Sequence, residues 1–217
     1  MVFISLGTSC KVRESIDRFN GFRNETNFFD WILSNFTTVL FVIQYIDHPE
    51  LFLTSDKFIK SFPSPNNPTH FISNHNQLYF SSLHDFPVDM EYDHFMIFFL
   101  EKYKRRILRL KNTIISTETI QFIHMITFAS IIPSIENIYF FVIYIQIINP
   151  NCKFYLHLLI PPELHAHSET IDKLNICYNI KIHYMVCNNS LGELTTDGSR
   201  VDLNWTEIYD RIIEYCK

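Results

Sequence analysis

The chain has 217 residues, 47% of them hydrophobic and only 19% charged, with a formal net charge of −5. So much apolar matter excludes a disordered tail, and the length suits one domain spanning residues 1–217 that buries roughly 70% of its unfolded surface. The acidic balance argues against nucleic acid or an anionic membrane as partner, and only 4 glycines argue against a Gly-rich phosphate loop, a propeller or a solenoid.

The five cysteines, Cys10, Cys152, Cys177, Cys187 and Cys216, form no CxxC pair. An odd count without that spacing favours free thiols in a reducing compartment, so a cytoplasmic location is expected. The N-terminus has no basic region followed by a long apolar one, so no signal peptide is expected. The longest apolar run, Ile138–Ile148, is shorter than the roughly 20 residues of a membrane span. Abundant Ile, Phe, Asn, Tyr and Lys is the signature of AT-rich coding and points to a virus, a parasite or a low-GC bacterium.

Val2–Leu6 reads as a buried strand ending in Gly7. Thr8 and Ser9 can cap a helix from Cys10 to Phe19, and Asn20-Gly21 stops it. A polar loop leads to Phe28-Phe29-Asp30-Trp31, and a helix follows over about 34–46. Ser61–Thr69 is a proline-rich loop. His70–Ser73 and Gln77–Ser81 flank a turn as a β-hairpin, and His84-Asp85 falls in a turn after it. Residues 47–88 thus form an inserted arm. Asp89–Lys111 has helical periodicity with a basic stripe of Lys102, Arg105, Arg106 and Arg109.

Beyond residue 110 the pattern alternates. Strands are expected at Ile120–Met125, Cys152–Ile160 and Ile180–Val186. Helices are expected at Pro133–Ile147, Ser168–Asn175 and Asn204–Cys216, with a polar loop over Asn188–Arg200. Strands apolar on both faces, alternating with helices, give an α/β fold: a three-layer domain around a mostly parallel sheet, with a small β-hairpin insertion.

Cys10 follows a strand and opens a helix. Backbone N–H groups and the positive dipole end there favour a thiolate and a developing oxyanion. A lone cysteine is more often simply a small buried residue. A nucleophilic cysteine needs a base, and His84, beside Asp85, is the candidate. Asp30, between Phe29 and Trp31, is a carboxylate that must be paired if buried, or else a cap. His165, His167, His157 and His183 match no zinc spacing, so neither metal nor cofactor is expected. Adjacent helical residues point about 100° apart. Either Arg105 or Arg106 must therefore turn inward, and an ion pair with Asp30 or Asp202 would hold it.

Ser5-Leu6-Gly7-Thr8-Ser9-Cys10, Phe28-Phe29-Asp30-Trp31, His84-Asp85-Phe86 and Lys102-Tyr103-Lys104-Arg105-Arg106-Ile107 together resemble the papain-like cysteine peptidase family DUF1796, mainly over residues 3–110. One departure is that the family's strand at Ile120–Met125 ends in an Arg where this chain has His124-Met125. The resemblance implies a hydrolase with Cys10 as nucleophile, His84 as base, and Asp30 or Asp85 orienting it. Its substrate would be a peptide, an ester or a thioester. A papain-like α+β fold is the alternative architecture. The residue pattern is closer to an SGNH-type esterase or acyltransferase with Cys in place of Ser. A non-catalytic protein that binds a host partner on an eroded hydrolase scaffold is the other alternative.

Overall fold

A computed structural model describes residues 1–7, 10–20, 26–63, 67–126, 132–186 and 205–214; for residues 10, 11, 18–20 and 205 it describes the backbone alone. The expected loop over 188–200, the capping residues Thr8, Ser9 and Asn204, and Asp202 lie outside the described residues.

Four parallel strands form the first sheet: β1 (Val2–Ser5), β6 (Thr119–Met125), β7 (Lys153–Ile160) and β8 (Ile180–Tyr184), in the order β1-β6-β7-β8. Side chains alternate across it. Phe3, Ile123, Met125 and Leu159 face α1 (Cys10–Asn20) and α6 (Trp205–Glu214), whose Val12, Ile16, Ile208, Tyr209 and Ile212 complete that layer. Ile4, Ile120, Phe122, Leu156 and Leu158 face the opposite layer. That layer holds α2 (Phe36–Gln44), α3 (Tyr92–Ser116), α4 (Ile135–Ile148) and α5 (Ser168–Asp172). The three-layer α/β architecture around a parallel sheet is therefore present.

The antiparallel part is larger than a hairpin. A second, antiparallel sheet has the order β2-β5-β4-β3, built from β2 (Ile32–Ser34), β3 (Phe58–Ser61), β4 (His70–His75) and β5 (Phe80–Pro87). Its Ile32, Phe58, Phe80 and Phe86 join the same apolar cluster as Ile4 and Phe122. β2 ends on Ser34, the residue at which helical spacing placed the start of α2. Asn35 marks the true boundary, its Oδ1 accepting the Thr38 N–H at 2.9 Å.

His84 and Asp85 do not lie in a turn; they sit inside β5. Phe71 pairs with Phe86 and Ser73 with Ser82, so Ile72 alone opposes Leu83, His84 and Asp85. This bulge breaks the two-residue alternation. It turns His84 out to solvent and Asp85 inward.

α3 runs one turn further than expected because Ile114 continues the buried face of Phe99, Tyr103, Ile107 and Leu110. Arg106 is the arginine that turns inward, 5% exposed. No described helix is long and apolar enough to cross a membrane.

Candidate active site

The helices that follow β1 and β6 lie on opposite faces of the sheet: α1 covers one face and α4 the other. In open α/β sheets, such a divergence at the carboxyl ends of neighbouring strands opens a crevice, and ligands bind there. Cys10 is the first residue of α1 and so lies at this edge.

The turn before Cys10 is tightly fitted. Gly7 has φ +79°, and a Cβ there would collide with Ser34 Oγ and approach Phe29 O. Glycine is needed both for conformation and for space. Ser34 Oγ donates to Leu6 O at 3.2 Å, and Leu6 N donates to Ile123 O at 2.8 Å. His124 Nδ1 also donates to Leu6 O, at 3.3 Å, which fixes the ring as the Nδ1–H tautomer. Its ring stands edge-on to Phe36. Complete burial lowers its pKa to about 4, so the imidazole is neutral near pH 7.

Asp30 is fully buried and ties three elements together. Its Oδ2 accepts from Arg13 Nη1 at 3.1 Å and from Asn27 N–H at 2.7 Å. Its backbone carbonyl accepts from Arg106 Nη1 at 3.2 Å. Arg106 is thus braced by Asp30 as expected, but through the main chain; the buried ion pair is Arg13–Asp30. Arg106 also lies over the Tyr103 ring, 4.9 Å from its centroid. Asp30 Oδ1 is buried and has no hydrogen-bond partner. Burial pushes this carboxyl up to about 6, against the pull of Arg13, Asn27 N–H and Arg106. Trp31 follows with φ 67°, the one non-glycine residue of positive φ among the described residues. A bulky side chain there is strained, and such strain clusters at functional sites.

His84 stands against this turn. Its ring lies edge-on to Trp31 at 6.4 Å and to His70 at 6.4 Å, and Nδ1 is 3.4 Å from Asn67 Nδ2. Asp85 faces away, into the space between β5 and α3. It accepts from Ser82 Oγ, from Tyr103 OH at 3.0 Å and from Lys102 Nζ. Burial opposes its ionisation, but Lys102 with the two hydroxyls outweighs burial and holds the carboxyl below its usual range. Both candidate carboxylates are therefore engaged by cations. The side chain of Cys10 lies outside the described residues.

A second polar group lies on the opposite face of the sheet. Gln121, His157 and His183 stand side by side on β6, β7 and β8. His157 Nε2 is 2.7 Å from Gln121 Oε1, and His157 Nδ1 is 2.9 Å from His183 Nε2. With Gln121 Oε1 accepting, His157 carries its proton on Nε2 and accepts from His183 Nε2–H. All three are at most 2% exposed. Burial, then Arg211 and Lys181, lowers the His183 pKa to about 4; burial, His183 and Lys181 push His157 well down. No group of three or more His, Cys, Asp or Glu side chains able to hold a metal occurs among the described residues. His165 and His167 sit apart, on a 3-10 turn over Pro162–His167.

The sequence argument named Cys10, His84, Asp30 and Asp85 but missed His124 and Gln121 as parts of buried networks. Their signal was present: each is a polar residue inside an otherwise apolar strand, and such a residue must find a partner.

The family model of the putative papain-like cysteine peptidases (DUF1796) matches residues 1–146, so the chain belongs to that family. No curated protein and no solved structure matches it.

Proposed function

We propose that the protein is a cysteine-dependent hydrolase in which Cys10 attacks a carbonyl carbon and His84 takes the thiol proton and returns it to the leaving group. The observation that carries this reading is the placement of Cys10 at the start of α1, at the carboxyl edge between β1 and β6, with the strained Asp30-Trp31 turn bridging from α1 to His84. N–H groups at the first turn of α1 would hold the oxyanion, and the helix dipole favours the thiolate. Asp30 and Asp85 act as positioning residues in this reading. Asp30 fixes the turn to α1 through Arg13, and Asp85 fixes β5 to α3 through Lys102 and Tyr103.

A cysteine after the first strand of a parallel sheet also suits ester or thioester cleavage, as in esterases that present a serine at that place. A papain-like peptidase places its nucleophile helix before an antiparallel barrel, so the sheet favours the acyl-ester substrates.

The test is labelling with an electrophilic acyl-type thiol probe, mapped by peptide mass spectrometry. Stoichiometric reaction at Cys10, slowed at least tenfold in His84→Ala with an unchanged melting temperature, supports the hydrolase. Equal labelling of Cys10 and Cys177, a free and partly exposed thiol, or no effect of His84→Ala, leaves a non-catalytic binding protein on a hydrolase scaffold.

A further inference from the structure

α4 is apolar on every side. Its fourteen residues, Ile135–Ile148, include a single charged side chain, Glu136. A helix hydrophobic all round belongs in an interior, yet the described residues cover only one face of α4. Ile138, Phe141 and Ile145 are buried against the sheet. Ile135, Tyr139, Phe140 and Ile147 face solvent, with Tyr139 57% and Ile147 68% exposed. Asn149 Nδ2 donates to the carbonyls of Ile114 at 2.8 Å and Ile115 at 3.1 Å, which brings the end of α4 against the end of α3. Exposed Ile115 therefore extends the patch.

We infer that this face of α4 is a homodimer interface, occupied by α4 of a second copy in antiparallel, two-fold packing. Three features single out a second copy. First, the stripe Tyr139–Ile143–Ile147 has a spacing of four residues and is self-complementary. A two-fold axis at Ile143 sets Tyr139 of each helix against Ile147 of the other, as an isologous contact requires. Second, the face carries a single charge, Glu136 at its N-terminal end, and its aromatic and aliphatic content is that of an interface core. The two Glu136 carboxylates, each about 10 Å from the axis along the helix, would sit about 20 Å apart, beyond the screening length. Parallel packing would set them side by side. Third, Ile115, Ile135, Tyr139, Phe140 and Ile147 expose roughly 500 Å² per copy, and Glu136, Ile143 and Gln146 bring this toward the roughly 800 Å² per partner of a standard interface.

Sedimentation velocity of the full chain from about 1 to 100 μM tests it. A dimer is expected, with Tyr139→Glu and Ile147→Lys each shifting it to monomer while the melting temperature extrapolated to low concentration is kept; both positions are exposed, so folding should survive. Ile143→Cys should oxidise to a disulfide-linked dimer, and Ile59→Cys, exposed on β3, should not. A monomer throughout that range overturns the inference. So does a dimer indifferent to both charge substitutions, or a monomer that floats with neutral or anionic vesicles through the same residues.

Discussion

Acidification should destabilise this protein well before its surface carboxylates are protonated, because three buried histidines must be neutral in the native state. His124 and His183 have native pKa values of about 4 against 6.5 when unfolded. For a base with a depressed native pKa, the stabilisation is fully present above 6.5 and is lost as pH falls toward 4. Between about pH 7.5 and 4.5 each of the two loses about 2.5 kcal/mol, and His157, shifted the same way, adds to the loss. Asp30 works in the opposite sense. Its native pKa of about 6 lies above 3.8, so the native state binds its proton more tightly. Acidification over the same window returns about 2 kcal/mol through that group. The net loss is about 3 kcal/mol before His157 is counted, a large share of the 5–15 kcal/mol that folded domains have. Urea unfolding at the two pH values measures it. His124→Gln and His183→Gln should each flatten the pH dependence by about 2 kcal/mol whatever they do at neutral pH. A stability that is level or higher at pH 4.5 would mean that the rings are already protonated in the fold, and the neutral hydrogen-bond chain would be wrong.

The parallel sheet was legible because its strands carry their own signal. Ile120–Met125 and Lys153–Ile160 are apolar on both faces, and only a sheet covered by helices on both sides needs that pattern. The second sheet was harder to see. β2 has three residues and β3 has four, too few for alternation to rise above chance, and β3 exposes Ile59 and Lys60 together. These strands exist because Phe28, Phe58 and Phe80 stack into one aromatic cluster with Tyr103. That is a tertiary cause with no local trace.

The candidate site divides in the same way. Asp30 between two large aromatics signalled a buried carboxylate, and the inward arginine followed from helix geometry. Which cation takes the carboxylate was not legible. Arg13 comes from α1 and Arg106 from α3, and only the meeting of both helices at the Asp30 turn decides that Arg13 takes the side chain and Arg106 the main chain. The orientation of His84 was hidden for another reason. In a regular strand His84 would share a face with Ser82 and Phe86, and the bulge opposite Ile72 exchanges it with Asp85. A bulge is a property of the strand pair.

Two further predictions concern the elements that hold Cys10 in place. Arg13→Met should cost about 3 kcal/mol at neutral pH, the lower end for breaking a buried pair, because Asp30 can escape by taking up a proton. The cost should shrink near pH 5, where Asp30 is already largely protonated; urea unfolding at both pH values checks this, and an equal cost at both would show that the ion pair is not the stabilising element. Gly7→Ala combines two penalties, the positive φ and the collision with Ser34 Oγ, and should cost about 2–3 kcal/mol. The two can be separated. Ser34→Ala removes the colliding oxygen together with its bond to Leu6 O, so in that background Gly7→Ala should cost the conformational part, about 1 kcal/mol, and the smaller contact with the remaining Cβ of residue 34 at 3.3 Å. Thermal or urea unfolding of the four proteins gives the coupling directly. The alkylation rate of Cys10 should follow it, falling in Gly7→Ala and partly recovering in the double variant, because the displaced Gly7 turn feeds straight into the first turn of α1. Additive costs would place the strain in the backbone alone and remove Ser34 from the argument. An unchanged alkylation rate in a destabilised Gly7→Ala would show that the fit of this turn does not set the position of Cys10.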